Sequence, residues 1–287
     1  MLANKLSKSL LTKKFLTNQL GCASTMVYPK YETIEMFKEG NTTRINFNQI
    51  KNLNAMNDRF FNEYNDALLI ANEDKDTSLT VISHNGKYFS SGLDFSMFKG
   101  LSRKEIEKFS YSLTNSMLCT LERYIYHKKP TLCIVKGPGI GSGLTFLGIH
   151  DYVICSDKAY FQAPFTKIGV SPIDFSSYTF PKIMGITKAN ELLLFGRKIT
   201  ALEGKKYNLI NEVVSDKEID SISEARIKEF SSLDNENLKI VKGVLKTHDK
   251  DKLILTGKNE MNIFRNRLCS DVFYNSLQEM LKKLEKK

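Results

Sequence analysis

Two glycine-punctuated stretches hold the residues whose types and spacing suit chemistry. The first, Ser90-Ser91-Gly92-Leu93-Asp94, follows Thr80 to Ser83, which reads as a strand, and the turn His84-Asn85-Gly86. In the second, Gly137, Gly139, Gly141 and Gly143 alternate after the apolar run Leu132 to Val135 and lead into the apolar run Leu144 to Ile149. Glycine lets a backbone come close to a ligand, and a helix N-terminus aims free N–H groups at negative charge. One exposed backbone N–H after each turn would give two donors converging on a single oxygen, which is what charge developing on a carbonyl requires. The dinucleotide pattern G-x-G-x-x-G is excluded, because Ser142 and Leu144 stand where a third glycine would fall. A Gly-Lys-Ser/Thr phosphate loop is absent as well. Taken singly, each stretch also reads as an ordinary tight turn of an α/β protein.

The elements that must position these turns alternate between the strand and helix periods. Residues 31–50 read as two short strands joined near Gly40-Asn41, and Asn54 opens a helix with Met56, Phe60, Phe61, Tyr64 and Leu68 on its apolar face. Ser102 and Glu105 read as a capping box for a helix running toward Tyr126, with Pro130 ending that connection. Tyr152 to Ile154, Ala159 to Gln162 and Glu212 to Val214 read as strands, and Asn190 to Phe195 and Ala201 to Asn208 as helices. From Asp220 onward only helical patterns occur. This alternation predicts an α/β fold.

Composition narrows the classes. With 41% apolar and 26% charged residues in 287, the chain should bury a sizeable core. No eighteen-residue apolar run exists, so no membrane span is expected. The five cysteines lack any CxxC pairing and the four histidines lack ligand spacing, so no metal site is expected. The net charge of +10 invites a nucleic-acid reading. Against it, the lysines are dispersed and no aromatic-basic motif is present, so no nucleic-acid partner is expected. Residues 1–28 carry lysines but no acid, with leucines mostly at helical spacing. They read as a mitochondrial transit peptide, with Lys in place of the more usual Arg. The expected location is the mitochondrial matrix, with the peroxisome as alternative despite the lack of a Ser-Lys-Leu ending.

Taken together the motifs are specific. Phe89-Ser90-Ser91-Gly92-Leu93-Asp94, then Gly137 to Gly143, then Asp151 with Ser156-Asp157-Lys158-Ala159 and Phe161, resemble the crotonase (enoyl-CoA hydratase/isomerase) superfamily. The run from Ala163 through Pro172 and Ser176-Ser177-Tyr178 to Gly185 most resembles its Δ3,Δ2-enoyl-CoA isomerase 2 branch. The resemblance implies an α/β crotonase-like spiral of ββα units over residues 29–220. A C-terminal helical subdomain over 221–287 would mediate homotrimer formation. It further implies an acyl-CoA thioester as substrate, with no other cofactor. The Leu93 and Ser142 backbone N–H groups would form the oxyanion hole, and Ser90, Ser91, Gly92, Leu93, Asp94, Gly141 and Ser142 would hold the thioester.

The base departs from the family pattern. The hydratase glutamates fall at Thr145 and Phe165, so water addition is not expected. The isomerase glutamate of a Ser-Pro-Glu-Gly motif falls at Ile173 in Ser171-Pro172-Ile173-Asp174, leaving Asp174 as the candidate base if the loop shifts by one. The competing reading of Asp174 is an N-cap for the helix beginning near residues 175–177. The functional expectation is an enoyl-CoA isomerase of unsaturated fatty acid β-oxidation. Its alternative is a catalytically inactive relative that binds acyl-CoA.

Overall fold

A strand buried on both faces sends alternate side chains into two cores, and all six residues of β3 (Leu79–His84) are buried. In the computed structural model, which describes residues 28–284, β3 lies inside a six-stranded sheet. Its order is β1 (Ile34–Glu39), β2 (Thr42–Phe47), β3, β4 (Thr131–Val135), β6 (Tyr152–Ser156) and β9 (Glu212–Val214). β1 and β2 form an antiparallel hairpin, and the remaining neighbours pair in parallel. The transit-peptide expectation concerns a segment that lies almost wholly outside the described residues.

One sheet face directs Leu79, Val81, Leu132, Ile134 and Ile154 against Ile219 and Ile227 of helix α5 (Ile219–Ser231). The other directs Phe47, Ile82, Cys133, Val135 and Cys155 into the main core. Helices α1 (Asp58–Glu73) and α2 (Arg103–Tyr126) close that core with Phe60, Phe61, Tyr64, Leu113, Met117 and Leu121. The capping box expected at α2 is present, with Ser102 and Glu105 each bonded to the other's backbone. Helix α1 starts later than the sequence reading: Asn57 is its cap, accepting from Phe60 N at 2.9 Å. Asn54 instead takes a left-handed conformation (φ 52°) ahead of the helix.

A second, three-stranded sheet stands at the edge where the glycine turns lie. Its order is β5 (Gly139–Ile140), β7 (Tyr160–Gln162) and β8 (Ile199–Thr200). Helix α3 (Ser142–Thr145) follows β5 directly, and helix α4 (Ser176–Met184) comes after the Ser171–Asp174 loop. The chain ends in α6 (Asn235–Thr247), α7 (Lys250–Leu268) and α8 (Asp271–Leu284). Met261, Phe264, Leu268, Phe273 and Leu277 of α7 and α8 enter the same core as the sheet. Among the described residues, no helix is long and apolar enough to cross a membrane.

Candidate active site

The two glycine turns meet backbone to backbone. Ser90 bridges Gly139, and Ile140 N donates to Ser90 O at 2.9 Å. A Cβ on Gly92 (φ +87°) would stand 2.7 Å from the Ile140 carbonyl oxygen, and one on Gly143 2.7 Å from that of Ser90. Such distances admit only glycine, so the turns can touch only because these positions lack side chains. Gly141 (φ +55°) completes the contact, its Cβ direction 3.8 Å from Gly92 Cα.

Each left-handed glycine is followed by a free donor. Leu93 pairs with Met56 through bonds made by its neighbours: Met56 N to Gly92 O at 2.8 Å and Asp94 N to Met56 O at 2.9 Å. That pairing turns the Leu93 N–H the other way. Ser142 is the first residue of α3, where an N–H has no helical partner. Among the described residues, neither of these two N–H groups donates within the chain.

The other expected binding residues shape this backbone. The buried Ser90 hydroxyl donates to Asn54 O at 2.7 Å and accepts from Gly92 N at 3.0 Å. The Asp94 carboxylate accepts from Ser96 N and the Ser96 hydroxyl, so its side chain is used locally. Ser91 N donates to Leu53 O, and Gly141 N to Gln162 O at 2.9 Å. Asn54, which the sequence places in a helix, braces the first turn by donating to Asn85 O and Tyr88 O, both at 2.8 Å.

Asp174 comes to the same place from another loop. Its carboxylate accepts a hydrogen bond from Thr145 Oγ1 at 2.6 Å, at the end of the short helix that Ser142 opens. The Ser142 hydroxyl faces this carboxylate too, without a complete hydrogen bond. Burial pushes the Asp174 carboxyl up to about 7, with the negative charge of Glu260 adding to the rise and the two hydroxyls opposing it. Asp174 and Phe175 both have left-handed backbones (φ 61° and 60°). For non-glycine residues this strain costs about 1–3 kcal/mol each and collects at functional sites. The isomerase motif has glycine at position 174, which is the residue type such a backbone favours.

The N-cap reading of Asp174 does not hold. The cap position of α4 is Phe175, and no side chain within the loop caps it. The Phe175 and Ser177 N–H groups donate instead to Glu260 on α7, at 2.7 and 2.9 Å, and the Ser177 hydroxyl joins them at 2.5 Å. Ile173, at the position of the isomerase glutamate, is buried in the apolar core. Phe165, at the second hydratase position, is buried as well. Sequence reasoning missed Glu260 and the braces at Asn54, and it weighed Thr145 only as a missing glutamate.

The mixed six-stranded sheet, the small second sheet packed on the glycine turns and the closing C-terminal helices make a crotonase-like fold. A solved enoyl-CoA hydratase/isomerase from Pseudoalteromonas atlantica T6c superposes with a TM-score of 0.79 at 27% identity, covering 88% of this chain and 98% of that one. The Enoyl-CoA hydratase/isomerase family model matches residues 38–287, and the chain belongs to that family. Enoyl-CoA delta isomerase 2 of Homo sapiens is 35% identical over 256 residues, 89% of this chain. This chain spans 65% of that relative's length. Enoyl-CoA delta isomerase 3, peroxisomal, of Mus musculus is 32% identical over 245 residues, which is 85% of this chain and 76% of the relative.

Proposed function

We propose that the protein is a Δ3,Δ2-enoyl-CoA isomerase, moving the double bond of a 3-enoyl-CoA to trans-2 in the β-oxidation of unsaturated fatty acids. Asp174 removes a proton from C2, and the electron pair of that C–H bond delocalises through the thioester carbonyl as a dienolate. The Leu93 and Ser142 N–H groups donate hydrogen bonds to the charged oxygen, and such preorganised donors act mainly in the transition state. The same carboxyl then returns the proton at C4, so no atom is gained or lost. The carrying observation is the buried Asp174 carboxyl, poised near neutrality and hydrogen-bonded to Thr145 at the end of the helix that Ser142 opens. A base with a pKa close to the working pH combines a useful ionised fraction with adequate proton affinity. Hydration is not proposed, because Thr145 and Phe165 replace both carboxylates that it needs.

A second reading has its own support. Ile173 fills the glutamate position of the isomerase motif, which favours a relative that binds acyl-CoA without turning it over. The two readings part in an assay on trans-3-hexenoyl-CoA and a longer homologue, following absorbance of the conjugated thioester. The isomerase reading expects turnover in the wild type and its loss in Asp174→Ala, with binding of a saturated acyl-CoA retained. Binding without turnover in the wild type would favour the second.

Location and assembly belong to the same proposal. The acid-free, lysine-bearing start supports the mitochondrial matrix, with the peroxisome as alternative. A homotrimer is supported by α6, which has no buried residue and exposes Ile240, Val241, Val244 and Leu245.

A further inference from the structure

The loop that carries Asp174 has its helix cap supplied from 85 residues away. A carboxylate next to a helix start ordinarily caps that helix itself. Here Glu260 of α7 takes the Phe175 N–H, the Ser177 N–H and the Ser177 hydroxyl, and the Asp174 carboxyl is left to Thr145. Glu260 is buried, and among the described residues no Lys or Arg pairs with it, so the three donors of residues 175–177 are what offset its desolvation. One turn earlier on the same helix, Gly257 lets α7 close on Phe175: a Cβ there would stand 2.7 Å from the Phe175 ring. Helix α7 thus grips the left-handed pair Asp174–Phe175 by its backbone and by its ring.

We propose that Glu260 is a positioning residue for Asp174, fixing the left-handed turn at 174–175 so that the Asp174 carboxyl is held against Thr145 beside the Ser142 turn. This rests on the reading of Asp174 as the base. The groups facing Asp174 are Glu260 from α7, Tyr124 from α2, and the Thr145 and Ser142 hydroxyls from α3. Glu260 adds negative charge beside Asp174 and so disfavours its ionised form, while the two hydroxyls favour it. Removing the Glu260 charge should therefore lower the pH at which Asp174 ionises.

The test pairs a readout free of activity with one that depends on it. The Asp174 carboxyl is titrated by 13C NMR in protein labelled at aspartate, with Asp174→Asn assigning the signal, in wild type, Glu260→Gln and Glu260→Asp. The same proteins are assayed on trans-3-hexenoyl-CoA, with hexanoyl-CoA binding measured alongside. In Glu260→Gln the Asp174 midpoint should move to lower pH and kcat should fall about tenfold or more, with hexanoyl-CoA binding changed by less than about threefold. Glu260→Asp keeps the charge but is one methylene shorter, so kcat should fall with the midpoint near that of the wild type. An unmoved midpoint in Glu260→Gln, or an unchanged kcat in either variant, overturns the proposal. If Glu260→Gln does not fold, kcat and the midpoint in Glu260→Asp decide it. A wild type without turnover defeats the base reading alone, and the Asp174 titration still judges Glu260.

Discussion

Asp174 sets stability against activity in a single side chain. Its carboxyl titrates at about 7 in the folded chain, against an ordinary value of 3.8. A raised value means that the fold favours the protonated form. The associated stability is present below about pH 4 and is lost as pH rises through 7. Asp174→Asn keeps an acceptor for Thr145 and removes the buried charge. It should therefore stabilise the protein at neutral pH, by on the order of a few kcal/mol, with little gain below pH ~4. Urea unfolding of both proteins at the two pH values measures this. The same variant should lose kcat by about 10²–10⁴-fold, the range of a general base. Thr145→Val removes a hydrogen bond that favours the ionised carboxylate, so the acidic limb of the rate profile should move to higher pH. The sequence showed a carboxylate near a missing glutamate, with apolar neighbours to raise its pKa toward neutrality, but not its contact with Thr145. Whether Asp174 would cap the helix or turn inward depended on Glu260, whose role no local pattern announces.

At the scale of the elements, the two glycine turns predict different costs for the same substitution. Gly92→Ala meets both a left-handed backbone and a carbonyl oxygen 2.7 Å away. Gly141→Ala meets the backbone penalty alone, its nearest neighbour being 3.8 Å away. Gly141 has ψ −118°, outside the left-handed helical well, so Gly141→Ala should cost more stability than the about 1–2 kcal/mol of that well. Gly92→Ala, which also displaces the Ile140 carbonyl, should show the larger loss of kcat. Thermal unfolding and the isomerase assay on both variants check the order. These turns, the buried strands and the α2 capping box were readable because each depends on residues close in sequence. The start of α1 was misplaced because Asn54 is a good helix-capping type. Its amide instead serves Asn85 and Tyr88 across the fold, a contact that sequence spacing does not encode.

For the whole molecule, the sequence conveyed the α/β class and the helical C-terminus but not how closely the two are joined. Helices α7 and α8 share the sheet's main core, and α7 reaches the Asp174 loop through Glu260. In the sequence Glu260 is one charge among many on a helical pattern, and only the packing distinguishes it. The apolar residues of α6 face outward instead, and the proposed trimer would cover them. Sedimentation should give a trimeric mass that Val244→Glu with Leu245→Glu reduces. A wild-type monomer at assay concentrations would contradict this.

The most direct test of the central claim is the pH dependence of trans-3-hexenoyl-CoA isomerisation by wild type, Asp174→Ala and Ile173→Glu side by side. Proton transfer by Asp174 predicts wild-type turnover that rises through pH about 7 as the carboxyl ionises, and its loss in Asp174→Ala. An inactive wild type brought to life by Ile173→Glu would contradict the claim, leaving a thioester site that has lost its base.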